Sequence, residues 1–133
     1  MSKTNEDFER KDLDLQCPRI EQEILDQVLA FSGPSGGYEP LVNVFVRSSH
    51  DRLGQLKLAI CEKRFGDIKN LSHSLKGSCA IFGARSLADQ WQQFEDICEG
   101  ISSEDLGHQF DSLERQVSAL HAFLMKQKFI ETH

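Results

Sequence analysis

The sequence predicts an all-α fold: an antiparallel, up-and-down four-helix bundle with an additional short N-terminal helix. Three observations carry this expectation. No proline occurs beyond Pro40 and the later breaks fall at glycine, as in chains built from uninterrupted helices. Apolar residues recur every three or four positions in four long segments, the period of a helix with one buried face. The connections between those segments are short, which makes consecutive helices antiparallel neighbours.

The elements follow in order. A short helix is expected after Pro18, a favourable first helical residue, with Ile20, Ile24, Leu25, Val28 and Phe31 on its face. Ser32-Gly-Pro-Ser-Gly-Gly37 ends it, being rich in residues that break helices. The second helix spans about 40–62, with Val42, Phe45, Ser49, Leu53, Leu56 and Ile60 inward. Leu41-Val-Asn-Val-Phe-Val46 alone has strand character, but the spacing after it is helical and a lone strand would lack a partner. Gly66 offers the next turn, and Asp67 or a residue just before it is the expected cap. The third helix covers about 67–82 and ends at Gly83, with Ile68, Leu71 or Ser72, Leu75, Cys79 and Phe82 along its stripe. The fourth covers about 84–99, with Leu87, Trp91, Phe94 and Cys98 on one side, and stops at Gly100. Ser102 or Ser103 then precedes Glu104 and Asp105, acids that suit the positive end of a helix. Leu106, Phe110, Leu113, Val117, Leu120 and Leu124 form the last and most regular seam.

Composition narrows the function. With 133 residues and 39% hydrophobic content, the chain holds one core. The expected division is a flexible segment over 1–17, a bundle over 18–129 and a tail over 130–133. There is no room for a nucleotide fold and a substrate domain together. Fifteen basic against 21 acidic residues give a net charge of −6, which argues against nucleic acid as a partner. Cys17, Cys61, Cys79 and Cys98 form no close pair, so neither a redox motif nor a zinc knuckle is supported. The N-terminal residues are charged and no long apolar run occurs. No signal peptide or membrane span is expected, and the protein reads as soluble and intracellular.

The third helix has a second face. At 100° per residue, His73, Lys69, Lys76, Gly77 and Ala80 lie opposite the apolar stripe. His73 therefore points outward at mid-helix, with Lys76 and Gly77 as its neighbours. A glycine inside an exposed helix costs about 1 kcal/mol relative to alanine, and beside an outward histidine it clears space for an approaching group. Lysine supplies a point charge that suits phosphate. The three are coherent for a phosphoryl group carried on a ring nitrogen. A solvated histidine beside an ordinary lysine and a tolerated glycine is the competing reading. Residues 57–85 carry six basic and two acidic residues, a net +4 that leaves −10 for the rest. Such an island would steer an anionic surface toward His73; six solvated cations without a role would look the same. His50, His108, His121 and His133 occur singly and read as surface histidines. Cys79 and Cys98 fall on buried stripes, away from His73, so no metal site is expected.

The segment His73-Ser-Leu-Lys76-Gly77-Ser78-Cys79-Ala-Ile-Phe82-Gly83-Ala84-Arg-Ser-Leu87 resembles the signature of histidine-containing phosphotransfer (HPt) domains, the intermediates of multistep two-component phosphorelays. The likeness extends in helix order over 18–129. Ser72, where a small apolar residue is usual, and Cys79, in place of a second serine, are departures that leave His73, Lys76 and Gly77 untouched. The resemblance implies that His73 accepts the phosphoryl group, Lys76 helps hold it and Gly77 keeps the histidine accessible. It also implies that Glu95, on the facing helix, lies near the histidine and orients its imidazole N–H.

By the same resemblance, donor and acceptor are aspartates of receiver domains, on a hybrid sensor kinase and a response regulator. Nothing resembles a P-loop or a kinase glycine-rich loop, so no unaided transfer from ATP is expected. The chain is expected to be a carrier without a cofactor of its own, the divalent metal coming from the receiver. It is further expected to be a monomer making transient contacts, in the cytoplasm, with nuclear entry left open. Ile24, Val44 and Val46 are candidates for an apolar docking ring. The alternative is a helical adaptor that binds a kinase or receiver domain and inhibits it without carrying phosphate.

Overall fold

A computed structural model of the protein describes residues 18–32 and 38–131, excluding the side chains at 29, 31, 32, 38 and 127–131. Five helices follow one another: α1 (Gln22–Ser32), α2 (Tyr38–Cys61), α3 (Phe65–Ile81), α4 (Arg85–Ile97) and α5 (Ser103–Glu131). Helices α2 to α5 form the bundle. Each packs against its neighbours in the order α2, α3, α4, α5 and back to α2, while α1 lies across α2 and α3. No strand occurs among the described residues. The expectations for 1–17, for the 33–37 break and for the side chain of Phe31 lie outside the described residues.

The predicted stripes are the core. Val42, Phe45, Leu53, Leu56 and Ile60 of α2, Ile68, Leu75 and Cys79 of α3, and the six-residue seam of α5 are all buried. So are Leu87, Trp91, Phe94 and Cys98, with Trp91 and Phe94 meeting edge to face at 5.6 Å between ring centroids. Burying side chains of this kind contributes roughly 1.5–3 kcal/mol each. Two serines sit in these stripes fully buried. Ser72 Oγ donates to the Ile68 carbonyl at 2.7 Å and Ser49 Oγ donates to that of Phe45 at 2.6 Å, so neither hydroxyl is left unpaired. A reciprocal amide pair, Gln90 with Gln116 at 2.8 and 3.0 Å, joins α4 to α5.

The helix ends depart from expectation in three places. The left-handed residue after α2 is Lys63, at φ 55°, and not Gly66, which lies inside the first turn of α3. Bonds from Lys63 N to Ile60 O and from Arg64 N to Ala59 O close the helix, the pattern that needs a left-handed residue at this position. Asp67 does not cap α3. Arg64 occupies the cap position without a side-chain bond to it, and Asp67 instead pairs with the Arg64 guanidinium. Pro18 does not begin α1 either. Glu21 N donates to Gly83 O at 2.8 Å, and the helix begins only at Gln22.

Gly83 is the corner that sequence spacing predicts. Its φ is 84°, and bonds from Gly83 N to Ala80 O and from Ala84 N to Cys79 O terminate α3. A side chain there would also stand 2.7 Å from the Glu21 carbonyl oxygen. At the start of α5, Asp105 N donates to Ser102 Oγ at 3.1 Å, so Ser102 is the cap. No helix of the described residues is long and apolar enough to cross a membrane.

Candidate functional site

Burial of the α3 stripe turns the opposite face of that helix to solvent. The His73 side chain is 70% exposed. Lys76, one turn on, is half-buried, and Gly77 is exposed. A Cβ added at Gly77 would meet nothing within 4 Å. The fold itself therefore gives no reason for glycine there.

Helix α4 runs antiparallel beside this face, and it and the turn that follows supply partners to Lys69, His73 and Lys76. Lys69 Nζ lies 2.6 Å from Glu99 Oε1. His73 Nδ1 lies 3.6 Å from Glu95 Oε1. Lys76 Nζ donates to Gln92 Oε1 at 2.5 Å, and Gln92 Nε2 donates to Asp96 Oδ1 at 2.9 Å. These are three rungs of one antiparallel ladder. The structure thus brings together all four residues singled out in the sequence: His73, Lys76, Gly77 and Glu95. Gln92 and Asp96 were missed, although the antiparallel register that pairs 73 with 95 also pairs 76 with 92.

The Glu95 side chain is only 23% exposed, and its Oε1 is buried with no hydrogen-bond partner. That oxygen is the acidic atom facing Nδ1, just beyond hydrogen-bond range of it. A bond to Glu95 would specify the tautomer in which Nδ1 carries the proton and Nε2 keeps its lone pair. The hydrogen bond with Glu99, followed by the charge of that carboxylate, holds the Lys69 ammonium above its ordinary range.

Three of the six basic residues of the island are paired with acids. Arg64 contacts Glu62 and Asp67, Lys69 contacts Glu99 and Arg85 approaches Glu21 at 3.7 Å. Helix α4 and the turn after it also set Glu95, Asp96 and Glu99 beside the basic face of α3. A segment count that stops at residue 85 omits those acids, which offset part of the positive charge beside His73.

The three proposed docking residues separate. Val44 is 65% exposed, whereas Val46 packs against the core and Ile24 is half-buried. Exposed apolar area on α3 comes instead from Ile81. Cys79 and Cys98 are in the core, and burial pushes the Cys79 thiol up to about 12, which makes it a poor nucleophile. No group of three metal-ligating side chains occurs among the described residues.

His121 is not a surface histidine. It is half-buried between α2 and α5, with Nε2 2.7 Å from Ser49 Oγ and its ring edge-on to Phe45 at 5.2 Å. Burial, aided by the nearby His50, lowers it to about 4. Its place one residue after Leu120 on the α5 seam is the signal that could have found it.

The Hpt domain family model matches residues 40–123. That span holds the four bundle helices except the first two residues of α2 and the end of α5, and every residue of the ladder. The chain belongs to the Hpt family. The structure of a histidine-containing phosphotransfer protein from maize, ZmHP2, superposes on this Hpt domain with a TM-score of 0.73, at 18% identity over 83% of each chain. A putative histidine-containing phosphotransfer protein from rice gives a TM-score of 0.64, at 18% identity over 80% of this chain and 83% of its own. At such identity these likenesses show the shared fold. A search of curated proteins gives no match.

Proposed function

We propose that this Hpt domain carries phosphoryl groups between receiver-domain aspartates, with His73 as the acceptor. The observation that supports it best is the exposed imidazole at mid-α3, flanked by a half-buried lysine and an open glycine within the family match.

The step balances without a further reactant. The Nε2 lone pair of His73 forms the P–N bond as the P–O bond to the aspartyl group breaks. The aspartate leaves as a carboxylate with the electron pair. Positive charge develops on the ring as Nε2 gives up its lone pair, and Glu95 Oε1 lies on the Nδ1 side to compensate it. Glu95 is thus a positioning residue for the imidazole. The Lys76 ammonium supplies charge to the moving phosphoryl oxygens, since such transfers depend mainly on alignment and charge compensation. Gly77 leaves room for the receiver to bring its aspartate in line with Nε2. Any divalent metal belongs to the receiver. The return step, attack by a second receiver's aspartate on phosphorylated His73, reverses these events.

The donor and acceptor in this reading are a hybrid histidine kinase and a response regulator, met one at a time by a monomeric, cytoplasmic carrier. Small, transient interfaces suit a protein that must release each partner. The test is two-sided. Label placed on the protein by one phosphorylated receiver should pass to a second receiver within the same mixture. Binding to both receivers with no transfer in either direction would instead identify an adaptor.

A further inference from the structure

We infer that Gln92 is a positioning residue, which holds the Lys76 ammonium in place for the phosphoryl group and is itself oriented by Asp96. The inference rests on the role proposed for Lys76.

Lysine is a flexible side chain whose charge ordinarily samples many rotamers. Here the stem is half-buried and Nζ is bonded to Gln92 Oε1 at 2.5 Å. An ammonium has three donors, so this bond leaves two for phosphoryl oxygens. Gln92 is ambiguous alone, because its amide can present either oxygen or nitrogen. Asp96 removes the ambiguity. Its carboxylate accepts from Gln92 Nε2 at 2.9 Å, which turns Oε1 toward the lysine. The flipped amide would set N–H against an ammonium and oxygen against a carboxylate.

The acceptor is neutral, and that matters for the chemistry. A carboxylate at 92 would bind the ammonium more strongly, but its negative charge would oppose the phosphoryl group that Lys76 is to receive. A glutamine holds the cation without cancelling it. By contrast Lys69, one rung beyond His73, is paired directly with Glu99 and its charge is spent there. The ladder therefore distinguishes a structural lysine from one kept available beside His73. The helical spacing places Lys76 on the next turn from His73, where its ammonium can reach a group on the imidazole.

The test is a double-mutant cycle on the rate of label transfer from a phosphorylated receiver, using the full chain. Gln92→Leu should slow transfer about threefold to tenfold, the loss of one preorganised charge-positioning contact. Gln92→Asn, with its shorter reach, should recover little, whereas Gln92→Glu should restore the tether but remain slower than wild type. In a Lys76→Ala background Gln92→Leu should have no further effect. Equal slowing by Gln92→Leu with and without Lys76 would overturn the inference, as would a wild-type rate for Gln92→Leu alone. A second readout separates this from the role of Lys76. The ¹⁵Nζ resonance of Lys76 should be motionally restricted relative to exposed Lys57, and freed in Gln92→Leu. Restricted motion together with full transfer by Lys76→Ala would remove the proposed role of Lys76 and, with it, the function of the tether. Unrestricted Lys76 in the wild type would refute the tether itself.

Discussion

Replacing Gly77 by alanine should make the protein more stable and a poorer carrier at once. Position 77 lies in the interior of α3 (Phe65–Ile81), and a Cβ there meets nothing within 4 Å. No contact is lost and no clash is made, so the helix propensity difference should appear nearly whole, about 0.8–1 kcal/mol. Part of that gain comes from the less flexible unfolded chain. For a domain of this size the melting temperature should rise by roughly 3–5 °C, with a matching shift of the urea midpoint at unchanged slope. Transfer from a phosphorylated receiver should fall by about tenfold, since displacing the partner by an ångström degrades in-line geometry. Gly107→Ala is the control. It also introduces a Cβ into open space, but on α5, the helix diagonal to α3, and it should leave transfer unchanged. A more stable Gly77→Ala protein that transfers at the wild-type rate would refute the steric role of Gly77. A less stable one would refute the description of the site as open.

Two further substitutions probe the frame that holds the site. Gly83→Ala should destabilise the domain by about 2 kcal/mol or more in urea unfolding, because a left-handed non-glycine costs about 1–2 kcal/mol and the added carbon would press on the Glu21 carbonyl. His121 makes stability depend on pH. Its folded value, about 4, lies below the ordinary value of 6.5, so between those limits the unfolded chain binds a proton that the folded chain does not. Stability is therefore full above pH 6.5 and falls as the pH drops toward 4. Allowing for solvent screening of a half-exposed ring, the loss between pH 7 and 5 should be roughly 1–2 kcal/mol. His121→Gln should flatten that part of the stability profile; an unchanged slope would place the proton uptake elsewhere.

The core was legible because it depends only on period. The stripe of α2, from Val42 to Ile60, and the seam of α5, from Leu106 to Leu124, are buried as their spacing requires. The face carrying His73 followed from the same geometry, since a residue opposite a buried stripe has nowhere else to go. The errors arose where backbone bonds outweigh residue preference. Lys63 takes the left-handed position because two bonds close α2 there, although Gly66 is better suited by type. The start of α1 is set by a bond from Glu21 to Gly83, 62 residues away in sequence, which no local signal at Pro18 contains. The charge around His73 was counted incompletely for a related reason. A count over 57–85 stops short of Glu95 and Glu99, which the fold sets beside His73 and Lys69, while Lys76 meets a neutral glutamine. His121 was misjudged because it was read as a lone histidine, although its place one residue after Leu120 sets it at the edge of the α5 seam, where Ser49 meets it.

The central claim is that the phosphoryl group resides on His73. Incubation with a labelled receiver phosphate should give one equivalent of acid-labile, base-stable label on the protein. His73→Gln should fold with wild-type stability, because the side chain it replaces is mostly exposed, and should take up none. Full-rate labelling of His73→Gln would contradict the account.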